Sequence, residues 1–510
     1  MKTALPLRQL VSRLGALSIE GALSAPVAGL AYDPRRVVPG TVFFAVPRRG
    51  VPEDGQAIPR AIERGAAAIV CEHLGFVPYR ATRIRVANCR RALANVAASF
   101  HGHPSRQLQV VVVSGCSARS AVAHLLHELF VSAGIPTGLV SSLGCRMGER
   151  VLPPLPAEVE ALDVQEWLAG MHRAGARACV LEVPPAAIAR GCLAAAELDA
   201  VLLTDLAAAT DPSEPSADGG GEPVIGPGSE FTFRARGRAG GTGGLWRLTD
   251  LRRGGTGRGH ELAVRLQGGT LTPMTVRATL RDLSPQGTQL EATTPRGSLA
   301  VRLPFPGRPS AQAALAAATV ALALNLPLAA VAAGLRRARA VPGRLDPVPT
   351  GHDFQVLVDG CSSAAELECT LRTVQEFTPG RVLLLFGCGA RHEAGARPTF
   401  GEVAARGADM TVLTSDNPGW EAPEVISAQV ASGYLRVRGA LPRVVPDRSQ
   451  AIRELLAAAR PGDCVVLAGK GHRTVQELAG CILPFDDRAH AEAALLDEPE
   501  QSLAPEEVAA

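Results

Sequence analysis

Short apolar runs recur along the chain, each closed by glycine, proline or aspartate and followed by residues at helical spacing. Between about 108 and 205 the order is QVVVVSG, SAVAHLLHELFVSAG, TGLVSSLG, VQEWLAGMHRAG, ACVLEV and AVLLTDL. Runs without polar alternation mark strands buried on both faces. Their alternation with helical segments predicts a parallel sheet covered by helices. The same rhythm returns after 341 in FQVLVDG, TLRTVQEF, RVLLLFG, EVAARGA, MTVLTSD and DCVVLAG, which predicts a second doubly wound domain. Residues 1–107 carry shorter runs, TVFFAV and AAAIVCEH, between Pro/Gly turns and predict a small α/β domain. The expected division is therefore 1–107, 108–340 and 341–490, with a disordered tail over 491–510.

The central block is interrupted near 210–260 by a Gly/Pro/Ser-rich segment and by RARGRAGGTGGLWRLTDLRRGGTGRG, with seven arginines against one aspartate. An anion-binding role and a mobile surface insertion are both open to such a segment, and the insertion is the better reading. The alternating stretch ELAVRLQGGTLTPMTVRATLRDL that follows predicts antiparallel strands. The longest apolar run, AALAAATVALALNLPLAAVAAGL, is alanine-rich and reads as a buried helix pair, not a membrane span. MKTALPLRQL lacks the apolar core of a signal peptide.

Composition narrows the function classes. A hydrophobic share of 46% with 20% charged residues fits a globular protein, and a net charge of +3 gives no footprint for nucleic acid. Eleven cysteines without a CxxC pair point to reduced thiols and a cytoplasmic location. Only two lysines occur, Lys2 and Lys470, so almost every site must manage without one.

The candidate chemistry starts at VVVSGCSARSA, residues 111–121. A buried strand, a glycine turn and a helix opening with a cation outline a phosphate loop, whose backbone donors and cation hold phosphates. Ser114, Gly115, Arg119 and Ser120 are its candidate residues. Glu182, at the end of ACVLEV, reads equally well as a magnesium ligand and as an ordinary strand-end carboxylate. Asp416-Asn417-Pro418 is a natural turn, and Gly469-Lys470-Gly471 suits a tight turn at a strand end. His101, His103, His124 and His127 read as core or surface residues.

Taken in order, YDPRRVVPGTVFFAVP, SFHGHPSRQLQVVVVSG, EALDVQ, AVPGRLDPV, FGCG, RPTFGEVAARGADMTVLTSDNP, AGKGH and FDDR resemble the Mur ligases. The likeness is greatest to the UDP-N-acetylmuramoyl-tripeptide synthetases (MurE) and runs from about residue 30 to 490. It implies a three-domain α/β architecture: a UDP-substrate-binding-like domain, a central P-loop-type doubly wound sheet and a C-terminal Rossmann-like ligase domain. It implies ATP and Mg²⁺ as cofactors and a reaction in which a carboxylate of a UDP-linked muramoyl peptide is phosphorylated, then attacked by an amine. By the same resemblance, Ser114, Gly115, Arg119, Ser120, Arg344 and Asp359 fall at nucleotide-binding positions. Ser120 and Glu182 fall at metal positions, and Asp416, Asn417, Gly469, Lys470 and Gly471 at the acceptor site.

The departures are as informative. Ala118 and Arg119 replace the Gly-Lys of the phosphate loop, and an arginine fork does not fit the cradle of an ammonium. Ala186 stands at a histidine position, Ala209 and Thr210 at an Asp and a His. Ser310 and Ala313 stand for two asparagines, and Gly360-Cys361-Ser362 for Tyr-Ala-His. The carbamylated lysine of the family has no candidate. In the acceptor region Gly419 and His392 replace arginines and Arg473 replaces a glutamate. On the muramoyl side Ala157-Glu158-Val159 replaces Thr-Thr-Pro, and Pro34 replaces a serine. The expectation is impaired ATP binding and a catalytically degenerate homologue, a scaffold or regulator engaging a UDP-muramoyl peptide or a cell-wall ligase. The alternative is an active amide ligase using Arg119, Ser120 and Glu182 with an amine other than diaminopimelate.

Overall fold

The computed structural model describes residues 5–47, 56–74, 81–115, 118–148, 150–152, 155, 158–204, 234–235, 245–250, 260–267, 274–284 and 286–497. The chain divides into two compact units. The first comprises Met1–Leu251, Ala263–Val276 and Ala316–Gly334, the second Arg252–Leu262, Arg277–Leu315 and Leu335–Ala510.

In the first unit a five-stranded sheet runs in the order Ala16–Glu20, Thr82–Val86, Ala68–Cys71, Thr41–Phe44, Gly29–Ala31. Its core takes in Leu7, Phe44, Ile84 and Leu93, together with Leu162 from the helix Ala161–Arg173. Tyr32 donates its hydroxyl to Asp163 Oδ2 at 2.6 Å, and Arg36 pairs with Asp163 and Glu166. The EALDVQ helix start is thereby fastened to the N-terminal sheet by both apolar and charged contacts.

The larger sheet of this unit follows the valine run. Gln109–Ser114 lies between Ala178–Glu182 and Ala200–Leu203, parallel to both, with Thr137–Ser141 beyond Ala178–Glu182. Val110 to Val113 are fully buried, as unbroken valine on a two-sided strand requires. The register sets Glu182 opposite Val113 and Leu203 opposite Ser114. Three strands therefore end together, and their last residues meet at one edge. This is where ligands bind in open α/β sheets.

The second unit holds a six-stranded sheet ordered Asp346–Val348, Gln355–Asp359, Cys464–Ala468, Val382–Phe386, Met410–Leu413, Arg443–Val444. The four central strands are parallel and their buried positions are apolar except for Asp359 and Thr411. The antiparallel expectation is met where Met274–Ser284 pairs with Gly287–Thr294. The alanine-rich run forms two helices, Arg308–Ala323 and Leu328–Arg337. Among the described residues no helix is long and apolar enough to cross a membrane. Most of the 210–260 segment lies outside the described residues. The last helix, Asp487–Asp497, continues past the expected start of the tail at 491, and residues 498–510 lie outside the described part.

A buried ion pair closes the second unit. Arg448, first residue of the helix Arg448–Ala457, donates from Nε and Nη2 to the two oxygens of Asp487 at 2.7 Å each, and both side chains are fully buried. Arg448 Nη2 also donates to the Ala468 carbonyl at 3.0 Å, one residue before Gly469. Removing one partner leaves a buried, uncompensated charge. Asp487→Asn is expected to lower stability by about 3–5 kcal/mol, measured by urea denaturation; a loss below about 1 kcal/mol would show the pair to be dispensable.

Candidate functional site

The chemistry-bearing residues gather at the carboxyl ends of the two parallel sheets. In the first unit the strand Gln109–Ser114 passes into Gly115 at φ +130°. A Cβ there would stand 2.6 Å from Thr204 Oγ1 and 2.7 Å from the Thr204 carbonyl oxygen, so only glycine fits. Thr204 N–H donates to the Ser114 carbonyl at 2.7 Å, tying the loop to the neighbouring strand. Ser114 is fully buried, and its Oγ has no hydrogen-bond partner.

Across the loop, Ala118 takes a left-handed conformation at φ +57° and precedes the helix Arg119–Ser132. A glycine-like backbone conformation is thus present with a methyl in place, at a cost of about 1–2 kcal/mol. Arg119 Nη1 donates to the Gly115 carbonyl at 2.7 Å. Its Nε lies 3.7 Å from Glu182 Oε1.

Glu182 is 2% exposed. Its carboxylate accepts from Ser120 Oγ at 3.0 Å, from the Ser142 N–H at 3.0 Å and from Ser142 Oγ at 3.1 Å. Ser120 Oγ is also 3.0 Å from Ser142 Oγ. The structure therefore brings Ser114, Gly115, Arg119, Ser120 and Glu182 together. It adds Ser142, which sequence reading missed because its only mark is a place just past a strand end. His124 Nδ1 lies 2.8 Å from the Ser120 carbonyl, and burial pushes its pKa below the ordinary imidazole value although Glu182 opposes the shift. His127 Nε2 meets the Thr137 carbonyl at 3.2 Å. Among the described residues no group of three His, Cys, Asp or Glu side chains could hold a metal.

A magnesium ion asks for hard oxygens in octahedral array, and the Ser120–Glu182 pair is of that chemical kind. Yet both Glu182 oxygens already accept from serine donors, and a guanidinium stands beside them at 3.7 Å. A dication entering here would face that cation at close range in a buried setting. The residues as arranged do not fit Mg²⁺.

In the second unit three glycine loops meet. Gly360 N–H donates to the Gly343 carbonyl at 2.7 Å, and Gly469 N–H to the Asp359 carbonyl at 2.9 Å. A Cβ on Gly471 would lie 2.6 Å from Gly360 Cα, and one on Gly343 2.2 Å from His472 N, so the backbones touch directly. Asp359 is buried and accepts from Leu345 N–H at 2.9 Å, Cys361 N–H at 3.0 Å and Thr370 Oγ1 at 3.1 Å. Burial raises its pKa even against the charge of nearby Arg344. Arg344 itself pairs with Glu366 at 3.7 Å.

The acceptor residues likewise turn inward. Lys470 is fully buried; its Nζ lies 3.3 Å from Asp416 Oδ1 and donates to Asn417 Oδ1 at 3.2 Å and to the Val475 carbonyl at 3.0 Å. Burial lowers the Lys470 pKa, with Asp416 opposing. Asn417 Oδ1 also accepts from Glu477 N–H at 3.0 Å. His392 is bound on both ring nitrogens, Nδ1 accepting from Gly389 N–H at 3.0 Å and Nε2 lying 3.1 Å from the Ser362 carbonyl. Arg397 pairs with Glu421 and donates to the His392 carbonyl. Gly419 follows the Asp-Asn-Pro turn, and Trp420 beside it is 85% exposed. Of the replaced positions, Ala186 lies in the helix Pro185–Ala189 and Ala313 is buried in Arg308–Ala323. Ala157, Ala209 and Thr210 lie outside the described residues.

Comparison with known proteins gives the same outline. The family pattern described as "Mur ligase, glutamate ligase domain" matches residues 343–471. A UDP-N-acetylmuramoyl-L-alanyl-D-glutamate--2,6-diaminopimelate ligase of Solibacter usitatus is 33% identical, over 91% of this chain and 92% of that one. A protein of the same description from Geobacter metallireducens is 30% identical, over 93% and 95%. A UDP-N-acetylmuramyl-tripeptide synthetase of Roseiflexus is 32% identical, over 92% and 95%. Among solved structures, a diaminopimelate ligase of the same description superposes with a TM-score of 0.57 at 21% identity, over 96% of this chain and 99% of that one. MurF from Acinetobacter baumannii superposes with a TM-score of 0.57 at 15% identity, over 97% and 99%.

The left-handed Ala118 yields a direct test. Ala118→Gly removes the steric cost of that conformation and loses part of the gain to the greater entropy of the unfolded chain. A net stabilisation of about 0.5–1 kcal/mol is expected in chemical denaturation; a loss of stability would contradict the strained conformation.

Proposed function

The chain belongs to the Mur ligase family, and on that premise we propose that it serves cell-wall precursor synthesis without phosphoryl transfer. It acts as a scaffold or regulator that engages a UDP-muramoyl peptide or a cell-wall ligase in the cytoplasm. One observation carries this reading. Two clusters of polar groups that survive at the family's site positions are engaged internally: Ser120 with Glu182 and Ser142, and Lys470 with Asp416 and Asn417. Groups held this way keep the strand ends and glycine loops in shape. They do not present the spread of donors that a polyphosphate needs, since phosphoryl transfer is almost wholly positioning and charge stabilisation.

The altered positions point the same way. An arginine replaces the lysine of the phosphate loop, and a fork cannot act as a point charge at the same spot. The acceptor region has a glycine at 419 and a histidine at 392 tied to backbone on both nitrogens, which weakens any clamp for an amino-acid carboxylate.

A second reading is favoured by one specific feature, the 3.0 Å approach of Ser120 Oγ to Glu182, which keeps hydroxyl and carboxylate adjacent. On that reading the chain is an ATP-dependent amide ligase whose amine is not diaminopimelate, using Arg119 for charge.

The two readings separate in one assay. The full chain is incubated with Mg-ATP, a UDP-muramoyl dipeptide and a panel of amino acids, and phosphate release is followed. The expected outcome is no amine-dependent release, with co-purification of a UDP-muramoyl peptide or a cell-wall ligase. Amine-dependent turnover with micromolar ATP binding in calorimetry would sink the scaffold reading.

A further inference from the structure

We infer that Arg119 is the resident cation of the Glu182 corner, and that it excludes a divalent ion from the place where the fold would otherwise hold one. This deepens the reading above by naming what keeps the corner shut. It is tested by metal binding and stability, neither of which involves turnover.

The argument begins with Glu182. A carboxylate that is 2% exposed at the end of a parallel strand is a buried charge, and buried charges are paired in folded proteins. The serine donors satisfy its lone pairs, yet they bring no net charge. His124, one turn further along the same helix, turns its Nδ1 to the Ser120 carbonyl at 2.8 Å and not to Glu182. Arg119 supplies the charge at 3.7 Å from Oε1, and the guanidinium cannot be deprotonated in a protein. Its hydrogen bond to the Gly115 carbonyl fixes the fork in the loop, while its side chain stays only 24% exposed.

The geometry of the helix start makes this arrangement local. Arg119 and Ser120 are the first two residues of the helix, so the guanidinium and the hydroxyl reach Glu182 from consecutive positions. A lysine there would give a compact charge with free rotation, whereas arginine gives a planar fork that bonds the loop and faces the carboxylate at once. The corner is thereby neutral with protein groups alone. A second positive ion would meet repulsion from Arg119 and would have to break three serine contacts to Glu182.

The test uses the full chain and Mn²⁺ as the probe, read by electron paramagnetic resonance of the free ion. Wild type is expected to show no Mn²⁺ binding that depends on Glu182. Arg119→Ala is expected to bind Mn²⁺ at least about tenfold more tightly than wild type, through loss of one repelling charge, and R119A/E182Q to lose that gain. Arg119→Gln, which keeps the apolar stem, replaces the alanine variant if the latter fails to fold. In thermal melts R119A and E182Q each lower the midpoint, and the double variant falls by less than the two shifts combined, because the pair acts as a unit. Mn²⁺ binding by wild type that E182Q abolishes, no gain on removing Arg119, or strictly additive midpoints would each overturn the inference.

Discussion

A carboxylate at the buried end of a parallel strand has to be neutralised where it stands. In this chain the constraint falls on Glu182, and much of the first unit is arranged to meet it. The register that sets Glu182 opposite Val113 brings it level with the loop that leaves the neighbouring strand. The loop can turn there because Gly115 admits the Thr204 backbone at contact distance. The helix that follows then delivers a hydroxyl and a guanidinium to the carboxylate from adjacent positions. Strand register, glycine turn and helix start are thus three parts of one electrostatic solution.

The second unit solves the same problem with more charges. Asp416, Lys470, Arg448 and Asp487 are all buried, two of each sign. Lys470 pairs with Asp416, and Arg448 with Asp487 while it also braces the Ala468 carbonyl. Burying four charges is expensive, and the gain lies in fixing one arrangement. Here the arrangement is the loop Gly469-Lys470-Gly471, which must pack against Gly343 and Gly360 with no side chains between. A polar interior of this kind defines where backbones go more than it adds to stability.

The strands were legible because valine and leucine runs bounded by turn residues admit few other readings, and both parallel sheets lie where those runs predict. The family resemblance rested on motifs at strand ends and glycine loops, positions whose chemistry is local and therefore visible in one dimension. The direction in which a charged side chain points was not legible. Lys470 read as a binding residue, and burial against Asp416 follows only from packing. Arg448 and Asp487 lie 39 residues apart, and nothing in either neighbourhood announces the other. Ser142 carries no motif at all and matters because the strand directly beside its own in the sheet ends at Glu182. The phosphate-loop substitutions were readable as letters, yet the bond from Arg119 back to the Gly115 carbonyl depends on the fork's length and angle.

The scarcity of lysine gives the buried ammonium a practical meaning. Lys470 is the only lysine after residue 2, and its side chain is wholly enclosed. Reagents that acylate primary amines meet no other side-chain amine along the remaining length of the chain. Acylation at that position therefore reports the opening of the second unit itself. The protein carries an intrinsic chemical clock for that event, read by mass at the Lys470 peptide, with Lys2 the one other side-chain amine to label.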